Sequence, residues 1–261
     1  MSFISDFPQD CLIEERIWID LRYLHLKRHF STKNCQQMLE AIQFIETHPE
    51  YKHNSSANNS AVNDKFRSQA IIYSINWFGE SKETTERVGA FFNYCSEALF
   101  PIIVPALYGR VKNLVGDWNI VRATVMQTYL GCPEQEIHYD FHEGTKIFLI
   151  SIPLHDTPID QGPTIFYEDK ILKGLQAHVI GYFKNLKSDL LNIFTSARRQ
   201  ESLKLGDFTI HDGCSLHSGG ENKIGTRKFI FLTCASVGTG WRDYIEIKAD
   251  GLHVLHNEYT R

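Results

Sequence analysis

The sequence predicts a mainly β core preceded by helices, and three observations carry that expectation. From Trp118 onward, seven short runs rich in β-branched and aromatic residues follow one another, at 119–130, 146–154, 164–167, 178–183, 208–211, 228–236 and 244–248. Turn clusters punctuate them: Gly131-Cys132-Pro133, Gln161-Gly162-Pro163, Asp212-Gly213, Gly219-Gly220 and Gly238-Thr239-Gly240. Upstream of Trp118, apolar residues recur mostly at helical spacing. Many short strands with such punctuation make a sandwich or a small barrel.

Residues 1–30 leave strand and helix both open, because Leu12, Ile13, Ile17, Ile19, Leu21 and Leu24 fit neither period. Ser31-Thr32-Lys33-Asn34 starts a helix whose apolar positions are Met38, Leu39, Ile42, Phe44 and Ile45, and His48-Pro49 stops it. Residues 51–68 are polar and rich in Asn and Ser, which predicts a surface loop. A strand is expected over 70–78. Ser81 caps a second helix, acidic in its first turns at Glu83 and Glu86 and running to about Phe100 with Val88, Phe91, Phe92, Cys95 and Leu99 on one stripe. A further helix is expected over 188–203. No repeat or low-complexity linker divides the chain, so one domain is expected over 1–261. In it, residues 1–117 form a largely helical support and 118–248 the β core.

Composition narrows the class. The 261 residues are 43% hydrophobic and 22% charged, with a net charge of −4, which is ordinary globular composition. A sequence pI near 6.3 gives no long-range attraction to phosphate, so no nucleic-acid partner is expected. Six scattered cysteines with no C-x-x-C pair argue for free thiols in a reducing compartment. No basic region followed by an apolar run opens the sequence, and the apolar stretch 98–107 is interrupted by Pro101 and Pro105. A cytoplasmic protein without membrane attachment is the expectation.

Three features carry chemistry. His138-Tyr139-Asp140 places an imidazole and a carboxylate two residues apart, which on an extended segment puts both on one side. A single H-x-D also arises by chance, and His142 with Glu143 and His155 with Asp156 lie nearby. His217 sits in the run GDFTIHDGCSLHSGGENKIGTRKF, where His211 competes with it as a third ligand. Two His and one carboxylate on one face suit a non-haem Fe(II) site. Arg227 begins an apolar strand, and a guanidinium carried into a core needs an anion, either from the protein or from a ligand.

In order along the chain, these landmarks resemble the Fe(II)/2-oxoglutarate-dependent dioxygenases, most closely the phytanoyl-CoA dioxygenase-like branch. LHDTPIDQGPT (154–164) is similar to that branch's D-x-x-x-x-N-G-P turn, with Gln161 in place of Asn. Gly206-Asp207 followed by His217 to Asn222 is similar to its G-D and H-x-x-x-x-N segment, and Arg227 closes the set. Tyr129, nine residues before the H-x-D, resembles the prolyl-hydroxylase branch. The likeness covers roughly 118–236.

The resemblance implies a double-stranded β-helix (jelly roll, cupin-like) core flanked by helices. It implies iron held by His138, Asp140 and His217, with Arg227 on the distal carboxylate of 2-oxoglutarate and Tyr129 and Thr164 as supporting contacts. O2 is the other co-substrate, and ascorbate an accessory reductant. The implied reaction hydroxylates an unactivated C–H bond of a small molecule, with release of succinate and CO2. Asp140 favours hydroxylation, or desaturation, because halogenating relatives carry a small residue there. The rival expectations are a peptidyl, prolyl-type hydroxylase, a cupin-type metalloprotein that does not use 2-oxoglutarate, and a scaffold without metal. His211 is a departure from the family pattern.

Overall fold

A computed structural model describes residues 22–51, 66–75, 81–138, 140–141, 146–167, 198–237, 245–248 and 251–254. The elements are β1 (Tyr23–Leu26), α1 (Thr32–Glu46), β2 (Arg67–Ser74), α2 (Lys82–Val115), β3 (Trp118–Thr128), β4 (Ile147–Pro153), β5 (Thr164–Tyr167), β6 (Arg198–Gln200), β7 (Phe208–Asp212), β8 (His217–Gly219), β9 (Arg227–Ser236), β10 (Ile245–Lys248) and β11 (Gly251–Val254). Strands β1-β7-β4-β9-β3-β2 form a six-stranded sheet, and β6-β5-β8 a smaller one. Every pairing is antiparallel, and β10 and β11 pair separately with each other.

Alternation along the strands sorts the large sheet into two faces. Ile120, Ala123, Val125, Phe148, Ile150, Ile152, Phe208, Ile210, Ile230, Leu232 and Cys234 face the helices, where they share one core with Met38, Ile42 and Ile45 of α1 and Phe91, Leu99, Ile103 and Leu107 of α2. The alternate residues, among them Arg122, Thr128, Thr209, His211 and Arg227, face the smaller sheet. Tyr23 of β1 stacks on Phe166 of β5 at 3.8 Å between ring centroids, and Phe166 packs edge-on to His211 at 5.1 Å. The two sheets therefore meet over a mixed polar and aromatic interior.

Ser31 accepts a hydrogen bond from the Asn34 amide and Ser81 one from the Thr84 amide, as N-caps do. α2 runs past the expected stop at Phe100, through Pro101 and Pro105, to Val115. The two prolines are four residues apart and both exposed, so the carbonyls they deprive of a partner face water. This helix is long and apolar enough to cross a membrane by length and composition, while its Val88, Phe91, Leu99, Ile103, Leu107 and Val111 are buried in the core.

Other boundaries move as well. The strand expected over 70–78 begins at Arg67, because register with β3 and not local apolarity sets its start. Within the residues expected to be helical at 188–203, 198–200 form strand β6 against β5. The ambiguous first segment contributes β1. The strand at 178–183, the bulk of the loop at 51–68 and most of the helix at 188–203 lie outside the described residues. Cys35, Cys95, Cys132, Cys214 and Cys234 are free thiols.

The Gly206-Asp207 turn is a structural knot. Asp207 is buried and accepts hydrogen bonds from the Arg28 and Lys204 amides at 2.8 Å each, and His25 Nε2 lies 3.0 Å from its carboxylate. The other His25 nitrogen meets Glu201 at 2.9 Å. The imidazole thus ties β1 to the turn that launches β7.

Candidate metal centre

His138 and His217 face each other across a short antiparallel bridge. Each amide donates to the other's carbonyl at 2.9 Å. Residues paired this way present their side chains on the same face, and the two rings lie 4.5 Å apart. The Asp140 and Phe141 amides both donate to Gly213 O, at 3.1 and 3.0 Å, which holds the H-x-D segment against the turn after β7. A Cβ on Gly213 would stand 2.7 Å from the Phe141 ring, so that turn requires glycine.

The resulting donor set fits a metal ion. One ligand atom each from His138, Asp140 and His217 lie within 4.8 Å of one another. His138 Nδ1 is 2.7 Å from Glu136 O, and His217 Nδ1 is 2.9 Å from Ser215 O. A carbonyl only accepts, so in each neutral ring Nδ1 carries the proton and Nε2 keeps its lone pair. Both Nε2 atoms aim at Asp140, at 3.9 and 3.5 Å. Backbone carbonyls that fix the tautomer in this way are the usual outer support of metal-bound histidine. Burial pushes the His217 imidazole below its ordinary value and His138 adds to this, while the Asp140 charge opposes it. Two lone pairs and a carboxylate converge on one point, which a cation of two-His-one-carboxylate preference would satisfy.

His211 is not part of that group of three. Its ring lies 5.0 Å from that of His217, buried, and among the described residues neither nitrogen has a hydrogen-bond partner. Burial first, then His217 and His138, push its pKa well below the ordinary range, so it is a neutral imidazole.

Arg227 is 6% exposed. Its Nη1 donates to Gln161 O at 3.4 Å and its guanidinium sits 5.9 Å from the Phe229 ring, and among the described residues it meets no carboxylate. Burial lowers its pKa to about 10, with Arg67 adding to the effect, which leaves it charged at neutral pH. A buried guanidinium without an anion is costly, and the chemistry it lacks is that of a ligand carboxylate. Gly219, two residues along β8 from His217, makes room for it. A Cβ there would overlap Gln135 Oε1 and come within 3.3 Å of Arg227 Nη2.

The two supporting positions fare differently. Thr164 pairs with Gly219 across β5 and β8, which puts it on the same face as Arg227's surroundings. Tyr129 does not join them: it is 37% exposed and its hydroxyl meets Ser68 Oγ at 3.3 Å. The hydroxyl that stands across from Arg227 is its neighbour Thr128, 1% exposed and with no partner for Oγ1 among the described residues. One step along a strand reverses the face, and the register that selects Thr128 is invisible without β9. Tyr139, His142 and Glu143 lie outside the described residues. His155 and Asp156 lie elsewhere: His155 accepts from the Lys228 amide, and Asp156 binds Lys204 and the Leu205 amide.

No family model matches the sequence, and no curated protein matches it. Solved structures do match. The α-ketoglutarate-dependent epimerase SnoN from nogalamycin biosynthesis superposes with a TM-score of 0.65 at 15% identity, covering 95% of this chain and 94% of that one. The α-ketoglutarate-dependent carbocyclase SnoK of the same pathway gives 0.62 at 11% identity, covering 90% of each chain. EctD from S. alaskensis with bound Fe gives 0.55 at 12% identity, covering 92% of this chain and 80% of that one. The chain therefore has the fold of these non-haem iron enzymes.

Proposed function

We propose that the protein is an Fe(II)- and 2-oxoglutarate-dependent oxygenase that hydroxylates an unactivated C–H bond of a small molecule. One observation carries the reading: His138, Asp140 and His217 converge with both Nε2 lone pairs aimed inward, and a buried guanidinium that meets no carboxylate among the described residues, Arg227, stands beside Gly219 of the same strand as His217. The neighbours add support, since SnoN has been crystallised with Fe3+, α-ketoglutarate and nogalamycin RO, and EctD with 2-oxoglutarate and 5-hydroxyectoine. The order of landmarks supports the phytanoyl-CoA dioxygenase-like branch and a double-stranded β-helix core. A cytoplasmic setting belongs to the same reading.

The iron, when bound, would activate O2 for oxidation of both the 2-oxo acid and the substrate. The chain's own residues set the conditions. His138 and His217, locked as Nδ1–H tautomers, and Asp140 would hold the metal and leave the opposite face open. Arg227 would take the distal carboxylate of 2-oxoglutarate as a fork, with Thr128 and Thr164 offering hydroxyls on the same interior face. Asp140 fills a position that would otherwise admit chloride, which favours hydroxylation. Because SnoN is an epimerase and SnoK a carbocyclase, the outcome in this chain rests on Asp140 and the substrate's pose. Succinate release from 2-oxoglutarate with Fe(II), ascorbate and O2, abolished in Asp140→Ala, tests the assignment. Equal release from that variant rejects it.

A further inference from the structure

The inner face of the large sheet carries more unpaired polar chemistry than the metal and the 2-oxo acid account for. Nine buried side-chain nitrogen and oxygen atoms lack a hydrogen-bond partner among the described residues. Six of them lie on this face: Arg122 Nε, Thr128 Oγ1, Ser151 Oγ, Thr209 Oγ1 and both nitrogens of His211. Leaving such an atom without a partner is costly, and native structures hold few of them. Thr128 belongs with Arg227. The other five do not.

Register arranges them. Arg122 pairs with Thr233, Thr233 with Leu149 and Leu149 with His211. Directly opposite residues share a face, so these four form one row, about 14 Å wide at about 4.8 Å per strand. The next row, Thr124, Phe231, Ser151 and Thr209, follows the same pairings. Arg122 and Thr233 are half-buried while Leu149 and His211 are buried, so Arg122 marks the accessible end and His211 the end beside His217. Among the described residues the Arg122 side chain makes neither an ion pair nor a hydrogen bond, and burial alone depresses its guanidinium. It repeats, at a second place, the condition of Arg227.

We propose that this row is the substrate subsite. Arg122 binds an acidic group of a small organic molecule, a carboxylate or phosphate, and His211 hydrogen-bonds a polar group of that molecule next to the metal ligands. The assignment rests on the oxygenase reading for the identity of the reaction but not for the anion site itself.

Calorimetry on the Mn(II)-loaded protein, with and without saturating 2-oxoglutarate, tests it with three probe pairs. These are 3-phenylpropionate against 3-phenylpropanamide, indole-3-acetate against indole-3-acetamide, and phenyl phosphate against phenol. At least one acid should bind more than 10-fold tighter than its neutral partner. The preference should vanish in Arg122→Gln, persist in part in Arg122→Lys, and weaken in His211→Leu, with 2-oxoglutarate affinity unchanged in the Arg122 variants. The pair that shows the preference identifies the acidic group. If no acid outbinds its partner, or if the preference survives Arg122→Gln, the proposal is overturned. Failure of 2-oxoglutarate to bind the metal-loaded wild type would instead count against the reaction, and the titrations without it still report on Arg122.

Discussion

His138 and His217 exchange both of their backbone hydrogen bonds at 2.9 Å, although a whole sheet's worth of chain separates them in sequence. That pairing fixes the face on which both rings lie, and the carbonyls of Glu136 and Ser215 then fix which nitrogen of each ring is free. Backbone hydrogen bonds thus organise the site, which predicts that the ligands can be removed without loss of the fold. His138→Ala and Asp140→Ala should remain folded but lose metal affinity by more than about 100-fold, beyond the 10–100-fold typical of outer-shell changes. Metal content after dialysis against Mn(II) measures this, and near-full occupancy in either variant would reject the ligand set.

Arg227 should cost stability in the absence of its anion. Replacing it with Met removes a buried charge that meets no carboxylate among the described residues, so the ligand-free variant should melt about 2–4 °C higher per kcal/mol gained. The same variant should lose 2-oxoglutarate binding. A lower melting temperature together with intact binding would show that Arg227 is a structural residue.

Gly219→Ala separates co-substrate from metal. Its Cβ would overlap Gln135 Oε1 and crowd Arg227 Nη2, so 2-oxoglutarate affinity should fall while Mn(II) affinity stays. Unchanged affinity for both would place the 2-oxo acid elsewhere.

The acid limb of apo-protein stability should trace in part to His211. Its folded pKa lies well below the ordinary value, so the unfolded chain binds the extra proton. The stability this group contributes is complete above about pH 6.5 and is lost as pH falls toward the folded pKa. His211→Leu should flatten the fall in melting temperature between pH 7.5 and lower pH, and an unaltered slope would contradict the assignment.

The clasp at His25 predicts a purely structural effect. Removing an imidazole held between Glu201 and buried Asp207 takes one hydrogen-bond partner from Asp207, so His25→Ala should cost about 1–3 kcal/mol. Chemical denaturation reads the loss, and metal affinity in the folded variant should not change.

Much of this was legible in the residues. Period-two runs after Trp118 gave strands where β3, β4, β5, β7 and β9 stand, and Ser31 and Ser81 announced their helices by capping chemistry. His138, Asp140 and His217 were legible as candidates, because each follows or starts a strand and turns separate them from the next. What escaped was information held between strands. Thr128 and Tyr129 are adjacent and both hydroxylated, and only pairing with Arg227 tells them apart. Arg122 looked like any strand arginine until its row across β9 and β4 reached His211. α2 outran its expected end because the exposure of Pro101 and Pro105, on which their tolerance depends, is a tertiary property.

The most direct measurement is calorimetric titration of 2-oxoglutarate into the protein, metal-free and loaded with Mn(II). If His138, Asp140 and His217 hold a metal that the 2-oxo acid then chelates while Arg227 grips its far end, binding should appear only with metal and be lost in both Asp140→Ala and Arg227→Ala. Equal binding with and without metal, or no binding to the loaded wild-type protein, would contradict the assignment of this site.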